Sequence, residues 1–203
     1  TLAYTGVYAI IHGAMGHTIE IPELNQHSVD AVAHAILGSI NYVMNNKDAL
    51  YTNQLNVFLR GINNEDNRAV DTWHIDEEGN VIGRPRGDNE NFFPEYYILP
   101  VDKNLQKNPL QVYKMVELLL NNGVKVERLV EDVEFDGVTY PEGSFIVPLR
   151  QAKRGMANAV LWQGSDESKW KDMYAELVMN FPAMRGFDVV EIREEGIFDG
   201  SIK

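Results

Sequence analysis

The run Tyr96-Tyr97-Ile98-Leu99 opens the stretch that decides the fold, because it precedes a capped helix and a second apolar run. Asn108 and Pro109 are typical of a helix N-cap and first turn, and Gly123 is typical of a helix end. Apolar side chains recur on one predicted face of this helix: Leu110, Tyr113, Val116, Leu119 and Leu120. With a strand over residues 124–130, this order predicts a βαβ unit with parallel strands and a right-handed crossover.

The residues that follow predict a β flap and a closing strand. Residues 133–149 contain two β runs around turns at 136–137 and 141–143, which predicts an antiparallel flap. Two more helices are expected after it, the second capped by Ser168 with these residues on one side: Trp170, Met173, Tyr174, Leu177 and Val178. Residues 187–192 are predicted to form the closing strand.

The region before this layer is predicted to be a connector. Residues 69–91 contain a short predicted hairpin followed by a charged, glycine-rich link. Arg86-Gly87-Asp88 matches a tripeptide that adhesion ligands use, but turn composition alone accounts for it in such a link. We therefore expect no function from the tripeptide.

The first 68 residues are predicted to contain strands and long helices. Residues 8–21 mix β-branched and small residues before Pro22, which predicts strand, loop, strand and stop. A helix with Ser28 as N-cap is expected from Val29, because apolar residues then recur at helical spacing. A polar break at 45–48 separates it from a second helical stretch, and the polar residues 63–67 mark a boundary.

Composition restricts the possible functions. The chain has 203 residues, 44% hydrophobic and 24% charged, which is typical of a globular protein. Its net charge of −12 disfavours nucleic acid and anionic membrane surfaces as partners, and no apolar run is long enough to predict a transmembrane helix. The chain has no cysteine, so histidines and carboxylates are the strong metal ligands that remain. It opens with Thr1 and turns apolar at once, from which we expect a longer parent protein.

The densest polar cluster in an apolar setting lies at residues 12–22 and includes Glu20. On a strand, His17 and Glu20 would face opposite sides, and the apolar neighbours of Glu20 would partly desolvate its carboxylate and raise its pKa toward that of a useful base. Two other interpretations stay open. Glu20 is a solvated edge charge or a helix cap, or His17 and Glu20 are zinc ligands, which requires a loop or a helix.

The segment Gly16-His17-Thr18-Ile19-Glu20-Ile21-Pro22, followed by a long amphipathic helix, resembles the closing part of zinc carboxypeptidases of the carboxypeptidase A family. The resemblance implies that Glu20 is the general base, which acts on zinc-bound water and then passes the proton to the leaving amine. Three later segments resemble the accessory region of long bacterial members: 93–100, 118–124 and 136–148. That region is similar to a glutamine-amidotransferase-type, flavodoxin-like α/β layer, but amidotransferase chemistry requires a cysteine.

The departures from the family concern the metal. The resemblance implies that the His-x-x-Glu and later His zinc ligands, the substrate-binding Arg and the mobile Tyr all lie upstream of Thr1. His12 is not assigned to metal, because Met15 stands where a His-Gly-x-Glu motif needs an acid. We therefore expect zinc in the full-length parent, no metal bound to this chain, and no peptidase activity from the chain alone.

We thus predict an α/β protein with three parts. Residues 1–68 are the C-terminal remnant of a carboxypeptidase-type mixed sheet with helices, 69–92 a hairpin and connector, and 93–203 a flavodoxin-like accessory layer with a β-hairpin flap. The parent would hydrolyse C-terminal residues from peptides and, by resemblance, would be a secreted or cell-envelope bacterial protein. The alternative is a non-catalytic α/β structural or interaction module in which Glu20 is structural. Uncovered strand edges and helix faces predict self-association.

Overall fold

The protein has a mixed α/β architecture, which confirms the predicted coarse class. A computed structural model describes residues 5–164, 169, 171 and 180–203. Helices α1 (Thr5–Ile11) and α2 (Gln26–Ile62) and a short 3-10 helix (Arg68–Trp73) come first. The remaining described elements are strand β1 (Tyr96–Leu99), helix α3 (Pro109–Asn121), strands β2 (Glu127–Arg128), β3 (Val133–Phe135), β4 (Val138–Tyr140) and β5 (Phe145–Pro148), helices α4 (Arg154–Leu161) and α5 (Phe181–Arg185), and strand β6 (Val190–Ile192).

The main sheet has four strands in the order β2-β5-β1-β6, and all its neighbouring strands are antiparallel. The predicted parallel pairing is therefore wrong. Strands β1 and β2 do run in the same direction, but β5 lies between them and pairs with both, so the strand–helix–strand unit is split. These strands lack the parallel neighbours that a flavodoxin-like layer requires.

The larger core cluster lies between this sheet and helices α3 and α4, and a smaller cluster covers the other face of the sheet. The buried face of α3 consists of Val112, Met115, Val116 and Leu119. The predicted face is partly wrong, because Leu110, Tyr113 and Leu120 are exposed. Both sets have helical spacing and lie on adjacent sides of the helix, so periodicity alone does not separate them.

The predicted flap is confirmed by the β3–β4 hairpin, whose strands pair in antiparallel register from Val133 with Tyr140. Its turn residues Asp136 and Gly137 have φ angles of 50° and 73°, as the tight hairpin turn requires. The second β run of the flap region is β5, which belongs to the main sheet. The predicted closing strand is confirmed as β6, at the sheet edge beside β1.

The predicted strands at residues 8–21 are wrong. Residues 5–11 form α1, and residues 14–21 have no regular structure. An isolated strand here would leave its backbone groups unpaired, because the described residues before α2 include no strand to accept it. A helix satisfies those groups internally, so the tertiary context overrides the β-type composition.

Helix α2 runs for 37 residues without ending at the predicted break. The break is a kink at Asn46, whose φ and ψ are −124° and 16°. The N-cap is Asn25 rather than the predicted Ser28, and the helix ends at Ile62 with Asn63 as its C-cap, where the predicted boundary begins. In the part of the chain that the structure describes, no helix is long and apolar enough to cross a membrane.

Replacing Asn25 by alanine is expected to lower the free energy of unfolding by about 1 kcal/mol, since its Oδ1 accepts a 3.0 Å hydrogen bond from the Ser28 backbone N–H. Ser28→Ala is the matched control and should change it by less than about 0.5 kcal/mol. Urea titration of both variants measures the difference. A larger loss for Ser28→Ala would contradict the assigned cap.

The connector begins within the 3-10 helix and contains the predicted short hairpin, as an antiparallel bridge between Ile75 and Val81. Backbone hydrogen bonds from Asp76 N–H to the Asn80 carbonyl and from Ile82 N–H to the His74 carbonyl flank this bridge. The first of the two later predicted helices corresponds to α4. The second, with Ser168 as its cap, lies outside the described residues.

Candidate functional site

The segment that carries Glu20 turns back beside α1 and then runs along α2. Gly13 makes the turn with a φ of 89°, and a Cβ there would lie 2.5 Å from the Phe58 ring. Gly16 packs on the backbone of α1, since a Cβ on it would lie 2.2 Å from the Gly6 carbonyl oxygen. The two glycines therefore set the path of the segment without a strand.

Glu20 is exposed and lies on this irregular segment. The expectation that apolar neighbours desolvate its carboxylate is wrong, because residues 17–20 are all exposed and only Ile21 is half-buried. Among the described residues, no hydrogen bond or ion pair holds the Glu20 side chain. Its carboxylate is therefore hydrated and accessible.

Glu20 does not cap the following helix. That role belongs to Asn25, whose side-chain amide also donates to Glu23 at 2.5 Å. Of the two structural interpretations left open by the sequence, the helix cap is therefore wrong, and a solvated charge agrees with the exposure.

The three polar residues of the segment do not converge. His17 is exposed and lines a groove with Met15 and Tyr42. His12 is half-buried at the end of α1, with its Nδ1 3.4 Å from the Lys153 Nζ and its ring centroid 4.6 Å from that of Tyr8. Within the described ranges, no three His, Asp or Glu side chains are grouped so that they could hold a metal ion.

Three grooves lie between this segment and α2. The largest, about 750 Å³, is mostly apolar and is lined by residues such as Ile10, Met15, Leu50, Tyr51 and Val57. The second, about 450 Å³, contains His17, and the third, about 410 Å³, lies beside the start of α2. Glu20 lines none of these three grooves.

A buried ion-pair cluster in the connector was missed by the sequence reasoning. Asp66 accepts from Arg84 and Arg86 at 2.8 Å each, and Asp71 accepts from the same two guanidinium groups at 2.8 and 2.7 Å. The four side chains are between 5% and 14% exposed. Because the partners are up to 20 residues apart and share no spacing rule, no local pattern indicates the cluster.

The cluster changes the carboxylate pKa values and removes Arg86 from solvent. Burial by itself raises the pKa of Asp71, but hydrogen bonds from Arg86 and Arg84 outweigh it and hold that pKa well below its usual range. The pKa of Asp66 is lowered in the same way, with Arg84 opposing the effect of burial. The Arg86 guanidinium is thus paired with carboxylates inside the protein.

A second buried cation lies where the connector meets α4. The guanidinium of Arg154 lies over the Phe93 ring at 4.5 Å and donates to the Glu65 carbonyl oxygen. Burial lowers its pKa, and Asp66 partly opposes this effect. Together with the ion-pair cluster, Arg154 joins the end of α2 to the sheet layer, which is a structural role.

Comparisons with family models, with curated proteins and with solved structures found no match to this chain.

Proposed function

We propose that this chain is part of a longer zinc carboxypeptidase-like protein, in which Glu20 acts as the general base in hydrolysis of a C-terminal residue from a peptide. The observation that supports this role is the state of the Glu20 carboxylate. It is exposed, and no described side chain binds it. Because no described side chain holds it, the carboxylate is free to accept a proton from a water molecule that the zinc of the parent would bind.

The described residues of this chain do not fit a zinc site by themselves, since they contain no group of three potential ligands. In the proposal, the zinc ligands and the substrate-binding Arg and Tyr belong to residues that precede Thr1 in the parent. The peptide substrate is likewise bound by the parent, and the chain alone has neither zinc nor peptidase activity.

Residues 93–203 are proposed to be the accessory layer of that parent. Their hydrophobic core is formed mainly by β1, β5, α3 and α4, and Ile11 of α1 packs against it. The antiparallel sheet differs from a flavodoxin-like layer. These residues are therefore proposed to have the accessory role but not the flavodoxin-like topology.

The test is made on the full-length parent. Glu20→Gln is expected to lower kcat at least about 100-fold on a peptide with a free C-terminus, because it removes the proton acceptor while keeping the shape of the side chain. The zinc content, measured by atomic absorption, should stay the same. Glu77→Gln changes another exposed glutamate, on the connector, and should keep full activity.

The second candidate is a non-catalytic structural or interaction module. It is favoured by the position of Glu20 outside the three grooves along α2. A parent that binds no zinc, or one that keeps its activity after Glu20→Gln, would support this module and contradict the peptidase proposal.

A further inference from the structure

Helix α2 carries exposed apolar side chains at helical spacing before and after its kink at Asn46, and we call this set the α2 stripe. Its members are mostly three, four or seven residues apart, so they share one side of the helix. Each is between 48% and 70% exposed. They are Val29, Ile36, Leu37, Ile40, Met44, Tyr51, Leu55 and Ile62.

Most of the α2 stripe lies next to the side of α2 that faces the Glu20 segment, but two of its members, Val29 and Tyr51, also line grooves along that segment. The grooves along that segment include Val32, Ser39, Val43, Leu50 and Val57, which lie on the adjacent side of the helix. A partner could therefore cover the other six members without displacing the segment.

The size of the stripe matches what a stable dimer needs. As a straight helix, the 37 residues of α2 would span about 55 Å, and the kink at Asn46 divides that length into two parts. Eight side chains of about 150 to 200 Å², each exposing roughly half of that area, amount to roughly 700 Å² per chain, close to the about 800 Å² per partner of a standard interface.

The charge distribution favours a second copy of this chain as that partner. Helix α2 carries two acidic and two basic side chains, Asp30, Asp48, Lys47 and Arg60, so it is neutral within a chain of net charge −12. Residues 1–62 contain four acidic and two basic side chains, so residues 63–203 carry 10 of the 12 net negative charges. Two copies therefore meet with least repulsion through α2.

The same charges determine the orientation. The C-terminal end of α2 contacts the sheet layer through Gly61 and Gln151. A parallel pair would place two strongly acidic layers side by side, whereas an antiparallel pair places them at opposite ends of the paired helices and also opposes the helix dipoles.

We propose that two copies of this chain pair through the α2 stripe, antiparallel, about a two-fold axis between residues 45 and 46, midway between Val29 and Ile62. A closed two-fold pair buries the same stripe on both chains. Each Met44 then lies within one helical turn of its copy, and Val29 of one chain lies opposite Ile62 of the other. This pairing is independent of the catalytic role proposed for Glu20.

Sedimentation equilibrium of this chain is expected to give twice the 23.0 kDa mass of one chain at micromolar concentration. The double substitution Ile40→Glu and Met44→Glu should raise the dimer dissociation constant at least about 100-fold, with an unchanged circular dichroism spectrum, because both positions are exposed in the monomer. Leu120→Glu, at an exposed apolar position on α3, is the matched control and should leave the dimer intact.

Because the chain has no cysteine, disulfide crosslinking tests the orientation. Met44→Cys alone should give a crosslinked dimer, and so should Val29→Cys combined with Ile62→Cys, whereas Val29→Cys alone should not. A monomeric chain, or a dimer that the glutamate variant leaves intact, would overturn the pairing. Crosslinking by Val29→Cys alone would overturn the antiparallel arrangement. A full-length parent that is monomeric would overturn a second copy as the natural occupant of the stripe, whatever the Glu20→Gln result.

Discussion

Asp71→Asn is expected to lower the free energy of unfolding by about 3 kcal/mol, because it removes one of two buried carboxylates that neutralise Arg84 and Arg86. Asp71 accepts from the backbone N–H and Nε of Arg84 and from both terminal nitrogens of Arg86. An amide oxygen can replace some of these hydrogen bonds but none of the charge. Two guanidinium groups would then share Asp66 alone.

Urea titration at neutral pH measures this loss, and Asp88→Asn is its matched control. Asp88 is an exposed acid in the same connector, so its substitution should change the free energy of unfolding by less than about 0.5 kcal/mol. If both substitutions lowered the free energy of unfolding equally, the ion-pair cluster would not be what stabilises the connector.

The cluster also makes stability depend on pH. The pKa values of Asp66 and Asp71 are lower in the folded protein than in the unfolded chain, so the unfolded state binds more protons in acid. Their stabilising contribution is present above their unfolded pKa values, near 4, and is lost as the pH falls through the lower folded values. Stability should therefore fall below about pH 4, and less steeply in Asp71→Asn.

Gly61→Ala is expected to lower the free energy of unfolding by about 2 to 3 kcal/mol, because a Cβ at this position would lie 2.3 Å from the Gln151 carbonyl oxygen. The loop at Gln151 cannot easily move away. Its side chain is buried and bonds both the backbone N–H and the carbonyl oxygen of Lys125. The substitution therefore separates α2 from the sheet layer.

The same helix supplies the matched control. A Cβ on Gly38 would meet nothing within 4 Å, so Gly38→Ala should raise the free energy of unfolding by about 0.5 to 1 kcal/mol through helix propensity alone. Urea titration of both variants, with α2 helicity followed by circular dichroism, measures the contrast. Stabilisation by both alanines would show that the contact between Gly61 and Gln151 is not needed.

The sequence by itself determined the elements whose signals are local. The β1 run, the Asn108-Pro109 start of α3 and the Asp136-Gly137 turn each act through backbone groups a few residues apart, and the structure confirms all three. Local chemistry also placed the end of α2 near Asn63, because a polar run cannot continue an apolar helix face.

Tertiary structure alone decided how those elements combine. Strand β5 returns between β1 and β2 and makes the sheet antiparallel, since strand order depends on which edges are free and not on the order of elements along the chain. Residues 5–11 become α1 because no described strand nearby can pair with them.

For the candidate site as well, the sequence indicated one part and only the tertiary structure determined the other. The local pattern around Glu20 was sufficient to single out that carboxylate, but its exposure depends on the path that Gly13 and Gly16 give the segment along α2. The cluster of Asp66, Asp71, Arg84 and Arg86 had no sequence signal at all. Charge pairing acts through space, so folding had to bring these four side chains together before they could hold the connector.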